Sequence, residues 1–283
     1  MKHSLAELIQ LADSENITMG RAALAEQVEQ EKASERAVYD KILHAWNVMK
    51  ESVVTGMDPN TRSLSGLTGG QASKLRAQAE SGNSVGGEVL GKATANALAV
   101  AELNAAMGRI VAAPTAGACG IIPGALTSAK ERFNLDDDTI VDALFCAAGV
   151  GAVIAHRASI SGAEGGCQAE CGSAAAMAAA ALTQIKGGTP TQCANACAFA
   201  LMNLMGLVCD PVQGLVEIPC VYRNVIGVAA AFTASDLALA NCRLPLDPDD
   251  IIDTMGKVGR SLPMELRETG RGGCATCPVR CVD

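Results

Sequence analysis

A polar stretch at residues 159–171 interrupts a chain that is otherwise rich in alanine and other small apolar residues. It reads Ser-Ile-Ser-Gly-Ala-Glu-Gly-Gly-Cys-Gln-Ala-Glu-Cys and lies between two long apolar segments. Gly162, Gly165 and Gly166 allow the backbone to approach another group closely, because glycine has no Cβ and tolerates positive φ. The sequence therefore predicts a loop held tightly between two buried segments.

The rest of the chain predicts helices. Apolar residues recur at helical spacing, and no segment shows sustained alternation with a period of two. Ser4 with Glu7 forms a capping box, and Thr189-Pro190 with Gln192 gives an N-cap followed by proline at the first helical position. The fold class is therefore predicted as all-α. Beyond the first short helix, helices are expected at residues 19–54, 71–81, 85–112, 123–133, 138–157, 174–185, 190–207, 221–241 and 248–259.

Composition limits the class of protein. Hydrophobic residues make up 49% of the 283 residues and aromatics only 2%, so small side chains must let the helices approach one another closely. The net charge of −8 argues against a nucleic-acid partner. The N-terminus lacks the apolar core of a signal peptide, and no apolar run free of Gly and Pro reaches membrane length. We expect a cytoplasmic protein that binds no membrane.

No clear domain boundary divides the chain. We interpret residues 1–283 as a single helical domain, with residues 1–65 as an N-terminal helical extension and residues 270–283 as a cysteine-rich tail.

Twelve cysteines without a secretion signal argue against a disulfide framework. Four lie in predicted apolar helices and are interpreted as core residues, namely Cys146, Cys193, Cys197 and Cys242. The other eight flank Gly or Pro in predicted loops, where they could reach a metal: Cys119, Cys167, Cys171, Cys209, Cys220, Cys274, Cys277 and Cys281.

Cys167, Cys209 and Cys220 do not form the close Cys-x-x-Cys pairs of a zinc ribbon or a ferredoxin. Three well-separated thiolates suggest a cubane iron–sulfur cluster in which one iron lacks a protein thiolate. Scattered core cysteines would give the same spacing. An open iron would act as a Lewis acid on a substrate hydroxyl or carboxylate. Cys171 is interpreted as a packing residue.

Three motifs resemble the α part of bacterial iron–sulfur L-serine dehydratases: residues 159–174, Cys-Asp-Pro-Val-x-Gly-Leu-Val-Glu-Ile-Pro-Cys at 209–220, and Ala-Pro-Thr-Ala-Gly-Ala-Cys-Gly at 113–120. The similarity runs from about Gly66 to the tail. The resemblance implies a helical catalytic domain with an oxygen-sensitive [4Fe-4S] cluster held on inter-helix loops by Cys167, Cys209 and Cys220. It also implies conversion of L-serine to pyruvate and ammonia.

The turn at residues 114–120 is a candidate for binding the substrate carboxylate, because glycines permit a nest of backbone N–H groups. A tight turn between helices is the alternative interpretation. The candidate substrate-binding residues are Thr115, Ala116, Gly117 and Gly120.

Three residues are candidates for catalysis: Thr115, Asn104 and Glu164. Asn104 lies in a predicted buried helix, where its amide needs hydrogen-bond partners. Glu164 and Glu170 flank Cys167, and either carboxylate could orient the substrate ammonium or cap a helix.

The sequence contains three histidines, and the one nearest the cluster loop, His156, is interpreted as structural. Complete enzymes of the resembled family carry a Ser-Ser-His-Thr segment in an N-terminal domain or a separate β chain, and this sequence has no such segment. The resemblance therefore implies a hetero-oligomer or dimer in which a β subunit contributes the histidine.

The tail carries Cys274, Cys277 and Cys281. Single-chain members of the resembled family end in a cysteine that can occupy the open iron, so Cys281 is predicted to be a displaceable fourth ligand. Two alternatives remain open. One is a zinc-binding interaction protein that uses these three tail cysteines, and the other is a related cluster lyase acting on L-cysteine or L-threonine.

Overall fold

The structure, a computed structural model, describes residues 3–279. Within that range the regular elements are helices and helical turns, with one isolated bridge between Cys209 and Arg267. The prediction of an all-α fold is confirmed. The helices are α1 (Leu5–Glu15), α2 (Met19–Glu31), α3 (Glu35–Gly56), α4 (Gln71–Glu80), α5 (Gly87–Ala105), α6 (Ile121–Phe133), α7 (Asp137–Arg157), α8 (Gly162–Gly165), α9 (Ser173–Ile185), α10 (Pro190–Leu204), α11 (Cys220–Leu239) and α12 (Pro248–Ser261).

Helix α9 forms the centre of the bundle. Its residues from Ser173 to Thr183 are all buried, and α6, α7, α10 and α11 pack around it. Most of these residues are alanine, which lets the neighbouring helices come close. A π-helical turn, Gln168–Gly172, joins the N-terminus of α9 to the polar stretch that contains Cys167. The candidate site is thus built on the most enclosed helix of the protein.

Helix α7 is long and apolar enough to cross a membrane, judged by length and composition alone. More than half of its most apolar window is buried, and the helix packs against α2, α3 and α9. Its position in the core accounts for its hydropathy.

The helix predicted over residues 19–54 is two helices. Lys32 adopts the left-handed conformation and ends α2. The Ser34 hydroxyl then caps α3 by accepting a hydrogen bond from the Ala37 N–H at 3.2 Å. The predicted capping box at Thr189 and Gln192 is present at the start of α10.

The interpretation of four cysteines as core residues is right for three of them. Cys146, Cys193 and Cys197 are buried. Cys242 is exposed, because α11 ends at Leu239 and leaves it in the following loop. Extending that helix too far along the sequence caused the error.

Candidate active site

The fold brings the thiols of Cys167, Cys209 and Cys220 within electrostatic reach of one another. Cys167 immediately precedes the π turn, Cys209 lies in the loop after α10, and Cys220 is the first residue of α11. All three are buried. Burial raises the pKa of Cys220 to about 12 and also raises the pKa of Cys209, and the charge of Cys167 raises both further. Neutralising groups are therefore needed if all three are to be thiolates.

Cys167 differs from the other two because its pKa is lowered. The main cause is a hydrogen bond with the thiol of Cys171; burial opposes the shift, and the charge of Arg223 adds to it. The Cys171 thiol also lies 3.9 Å from the carbonyl oxygen of Gly117. Cys171 therefore favours the thiolate of Cys167 from the adjacent turn of the chain, and its interpretation as a packing residue stays a prediction.

Of the two carboxylates that flank Cys167, the structure brings Glu170 to the thiols. Its Oε2 lies 4.0 Å from Cys209 Sγ, and burial raises the pKa of its carboxyl group. Glu164 is exposed and accepts a hydrogen bond from the Ser159 hydroxyl at 2.6 Å. The catalytic role of Glu164 stays a prediction, and Glu170 is a second candidate because it lies beside the Cys209 thiol.

The turn at residues 114–120 packs against Glu170. A Cβ added to Gly117 would lie 3.3 Å from the Glu170 carboxylate oxygens. Thr115 Oγ1 is buried and has no hydrogen-bond partner of normal geometry. It lies near the Glu170 carboxyl group and partly offsets the rise in the pKa of Glu170 that burial causes. In the described part of the chain, the N–H groups of Ala116 and Gly117 have no backbone acceptor. A hydroxyl and two N–H groups thus remain available at this turn.

Two other predicted residues have structural partners. The Gly120 N–H donates to Asn224 Oδ1 at 2.8 Å, and the backbone of Gly120 lies against the Ala97 carbonyl. The Gly120 N–H therefore already has a partner in the protein, and a role of Gly120 in substrate binding stays a prediction. Asn104 Nδ2 reaches the carbonyl oxygen of Ala116 at 3.4 Å, so Asn104 supports the turn from behind.

Sequence reasoning missed Arg223, Asn224 and Asp210. Arg223 and Asn224 lie one helical turn after Cys220, on the side of α11 that faces the thiols. Asp210 follows Cys209 and forms an ion pair with Arg223 at 2.6 Å. The only sequence signal was the helical spacing of Arg223 and Asn224 from Cys220.

The segment after α12 lies along the Cys209 loop. The Cys209 N–H donates to the Leu266 carbonyl at 2.8 Å, and the Glu268 N–H donates to the Cys209 carbonyl at 2.7 Å. Further on, Cys274 is half-buried and Cys277 is exposed. Cys281 lies outside the described residues, so its role as a fourth ligand stays a prediction.

The three histidines make other contacts. The rings of His3 and His156 are stacked with centroids 4.2 Å apart, and His44 Nε2 lies 3.2 Å from Arg109 Nη2. These contacts do not involve the three thiols.

The three buried thiols are compatible with the ligand set of an iron–sulfur cluster. Among residues 3–279, no three His, Cys, Asp or Glu side chains converge closely enough to hold one metal ion. A cluster distributes its thiolates over several irons, so its ligands need not meet at one point. The buried thiols and the guanidinium of Arg223 beside them fit an anionic cluster of this kind.

The protein is an all-helical bundle with three buried cysteines, one before the central helix α9 and two in and after the loop that follows α10. The chain belongs to the serine dehydratase alpha chain family, whose model matches residues 14–275. It is 45% identical, over 99% of this chain and 93% of the relative, to the probable L-serine dehydratase, alpha chain, of Bacillus subtilis (strain 168). The L-serine dehydratase, alpha chain, of Peptoniphilus asaccharolyticus is 41% identical over 97% of this chain and 94% of its own length. L-serine dehydratase TdcG of Escherichia coli (strain K12) is 38% identical over 96% of this chain, which spans 61% of that longer protein.

Proposed function

We propose that the chain is the catalytic α chain of an L-serine dehydratase that converts L-serine to pyruvate and ammonia. The observation that carries this proposal is that Cys167, Cys209 and Cys220 are all buried near one partly buried carboxylate, Glu170, in a member of this family. Elimination of water across the Cα–Cβ bond of serine gives 2-aminoacrylate. This enamine tautomerises to the imine, which takes up water to give pyruvate and ammonia.

Cys167, Cys209 and Cys220 would hold a [4Fe-4S] cluster. When bound, the cluster would supply a Lewis-acidic iron that polarises the substrate hydroxyl and favours its departure. The three thiols must be deprotonated for this role, and the Arg223 guanidinium and the Cys171 thiol both favour the thiolate of Cys167.

The substrate's charged groups match groups that the fold leaves available. We assign the ammonium to the carboxylate of Glu170, which is partly buried and lies beside the Cys209 thiol. The carboxylate is assigned to Thr115 Oγ1 and the N–H groups of Ala116 and Gly117. Asn104 would position that turn through the Ala116 carbonyl. A compact polar amino acid is the ligand that these groups suit.

A β subunit would complete the site. Removal of the serine α-proton needs a base, and the contacts of His3, His44 and His156 lie elsewhere. The histidine of a Ser-Ser-His-Thr segment in the β chain is our candidate for that base. We therefore propose a cytoplasmic hetero-oligomer in which this chain carries the cluster and its partner carries the histidine.

Anaerobic purification tests the proposal directly. We expect iron and acid-labile sulfide, a visible absorbance that serine perturbs, and pyruvate formation that requires a β chain. L-cysteine and L-threonine are compared as substrates, and serine should give the highest kcat/KM. Zinc without iron or sulfide would exclude the cluster and favour a zinc-binding interaction protein. Full turnover of serine by the isolated chain would exclude the proposed role of the β subunit.

A further inference from the structure

Arg223 forms hydrogen bonds with the residues that precede and follow Cys209 in the sequence. Its Nη1 donates to the carbonyl oxygen of Val208 at 2.5 Å, and its Nη2 donates to Asp210 Oδ1 at 2.6 Å. Arg223 itself lies one turn after Cys220, in the helix that Cys220 begins. The residues on each side of one predicted ligand are therefore tied to the helix that carries another, through a backbone carbonyl at Val208 and a side-chain carboxylate at Asp210.

The same guanidinium also acts on Cys167. The two side chains are close enough for the positive charge of Arg223 to favour the thiolate of Cys167. The Arg223 side chain is 14% exposed and the Asp210 side chain only 3%, so water screens these interactions weakly. One buried cation is thus linked to the positions of all three thiols.

The contacts require the shape of arginine. Its planar guanidinium carries five N–H donors in fixed directions, so it can serve a carbonyl, a carboxylate and a thiolate together. A lysine ammonium carries its three donors on a single nitrogen and cannot span these acceptors in the same way. The other oxygen of Asp210 accepts from the Cys274 N–H at 2.6 Å, which fixes the orientation of the carboxylate.

We propose that Arg223, oriented by Asp210, is a positioning residue that holds the three ligand cysteines in place and balances the negative charge of the bound cluster. This inference rests on the proposed function, because it assumes that Cys167, Cys209 and Cys220 bind a cluster. Groups that orient metal ligands typically contribute about 10–100-fold to metal affinity or activity. Hydrogen bonds and nearby charges also set the reduction potential of an iron–sulfur cluster.

The test compares R223Q and R223K with R243Q and R243K in the anaerobically purified chain, since Arg243 is exposed. We expect R223Q to release iron to a chelator about 10–100-fold faster than wild type and to have a lower cluster reduction potential. R223K keeps the charge, so its potential should stay nearer to that of wild type while its iron release is still faster. D210N should also speed iron release, to a smaller extent than R223Q, because it weakens the group that orients the guanidinium.

With the β chain added, the fold-decrease in kcat of R223Q should be larger than its fold-increase in KM, because the variant disturbs the placement of the cluster rather than the binding of serine. A role limited to folding would lower thermal stability without changing the potential. Wild-type iron release and wild-type potential in R223Q would overturn the inference. If R223Q fails to fold, R223K provides the test. Iron release faster than in wild type would support the inference, and iron release at the wild-type rate would overturn it.

Amide hydrogen exchange separates this inference from the proposed function. In cluster-free protein, R223Q should exchange the Cys209 N–H faster, because the Val208 carbonyl and the Asp210 side chain on either side of it each lose a hydrogen bond. Absence of iron and sulfide from the wild type would refute the proposed function but leave this positioning effect measurable. Unchanged exchange at Cys209 in R223Q would refute the positioning role even if the cluster is present.

Discussion

The side chain of Asn224 accepts a hydrogen bond from the Gly120 N–H at 2.8 Å in the interior of the protein. The same amide donates to the carbonyl oxygens of Gly117 and Cys220 at 2.7 and 2.9 Å. Asn224 is 1% exposed, so water cannot replace these contacts. One residue therefore joins the proposed carboxylate-binding turn to the helix that begins at Cys220.

Replacing Asn224 by alanine should destabilise the protein strongly. N224A leaves the Gly120 N–H and the Gly117 carbonyl buried without this partner, and each such group costs about 1–3 kcal/mol. We expect the free energy of unfolding in urea to fall by about 2 kcal/mol or more. The control is N203A, since Asn203 is exposed and bonds only to the Phe199 carbonyl. Equal stability of the two variants would contradict the proposed role of Asn224.

Serine substitutions of the predicted ligands should remove the cluster. C167S, C209S and C220S are each expected to lose most of the iron, the sulfide and the visible absorbance, because three thiolates are the minimum set that the site offers. C242S is the matched control, since Cys242 is exposed in a loop. The ligand assignment is wrong for any of the three positions whose variant retains wild-type iron.

The carboxylate assignment is tested by comparing E170Q with E164Q. Loss of a hydrogen bond to a charged group costs about 1.5–3 kcal/mol, so E170Q should reduce kcat/KM for serine by about 10–100-fold. E164Q removes an exposed group that bonds only to Ser159, and we expect a much smaller change. A larger loss in E164Q than in E170Q would return the role to Glu164.

A methyl group at Gly162 should disturb the site more than one at Gly172. A Cβ at Gly162 would lie 2.8 Å from Glu170 Oε2 and 3.1 Å from Cys209 Sγ, whereas one at Gly172 would have no neighbour closer than 3.8 Å. Because the Glu170 side chain can shift, G162A should raise KM and accelerate iron loss with little change in thermal stability. Wild-type kinetics for G162A would show that this close approach is not important.

Asp137 should make the stability depend on pH. Burial alone would raise its pKa, but hydrogen bonds with Lys50, Trp46 and Lys130 lower it overall. A lowered folded-state pKa stabilises the protein above the unfolded value of about 4, and this contribution is lost as the pH falls through the folded-state value. In urea titrations, D137N should therefore be less stable than wild type at pH 7.

The difference between D137N and wild type should shrink at acidic pH, where the wild-type carboxyl group also becomes neutral. D13N serves as the control, because Asp13 is exposed on α1. A gap between D137N and wild type that stays constant from pH 7 to about pH 3 would rule out the charge of Asp137 as its cause.

Local signals in the sequence predicted most of the fold. Caps at Ser4 and Thr189 and the helical spacing of apolar residues predicted most helix boundaries to within a few residues. The break between α2 and α3 was missed because Ser34, a side chain that caps helices, lies within a continuous periodic pattern. Cys242 was misplaced because an apolar run continued past the end of its helix.

The candidate site was predicted only in part. Cys167, Cys209 and Cys220 could be selected because their motifs are long, but Arg223 acts through contacts with loops far away in sequence. The choice between the two glutamates depends on the π turn before α9, which sets the direction of Glu170. Neither tertiary contacts nor a π turn leaves a periodic pattern in the sequence.

The central position of α9 also constrains how the protein matures. Cys167 and Cys220 are separated in sequence by α9 and α10, so their thiols approach only when these helices pack with α11. Before these helices pack, the thiols of Cys167 and Cys220 are far apart in the nascent chain, and nothing in their surroundings distinguishes them from the other cysteines. The proposed cluster would therefore be inserted late, into a bundle whose central helices have already packed.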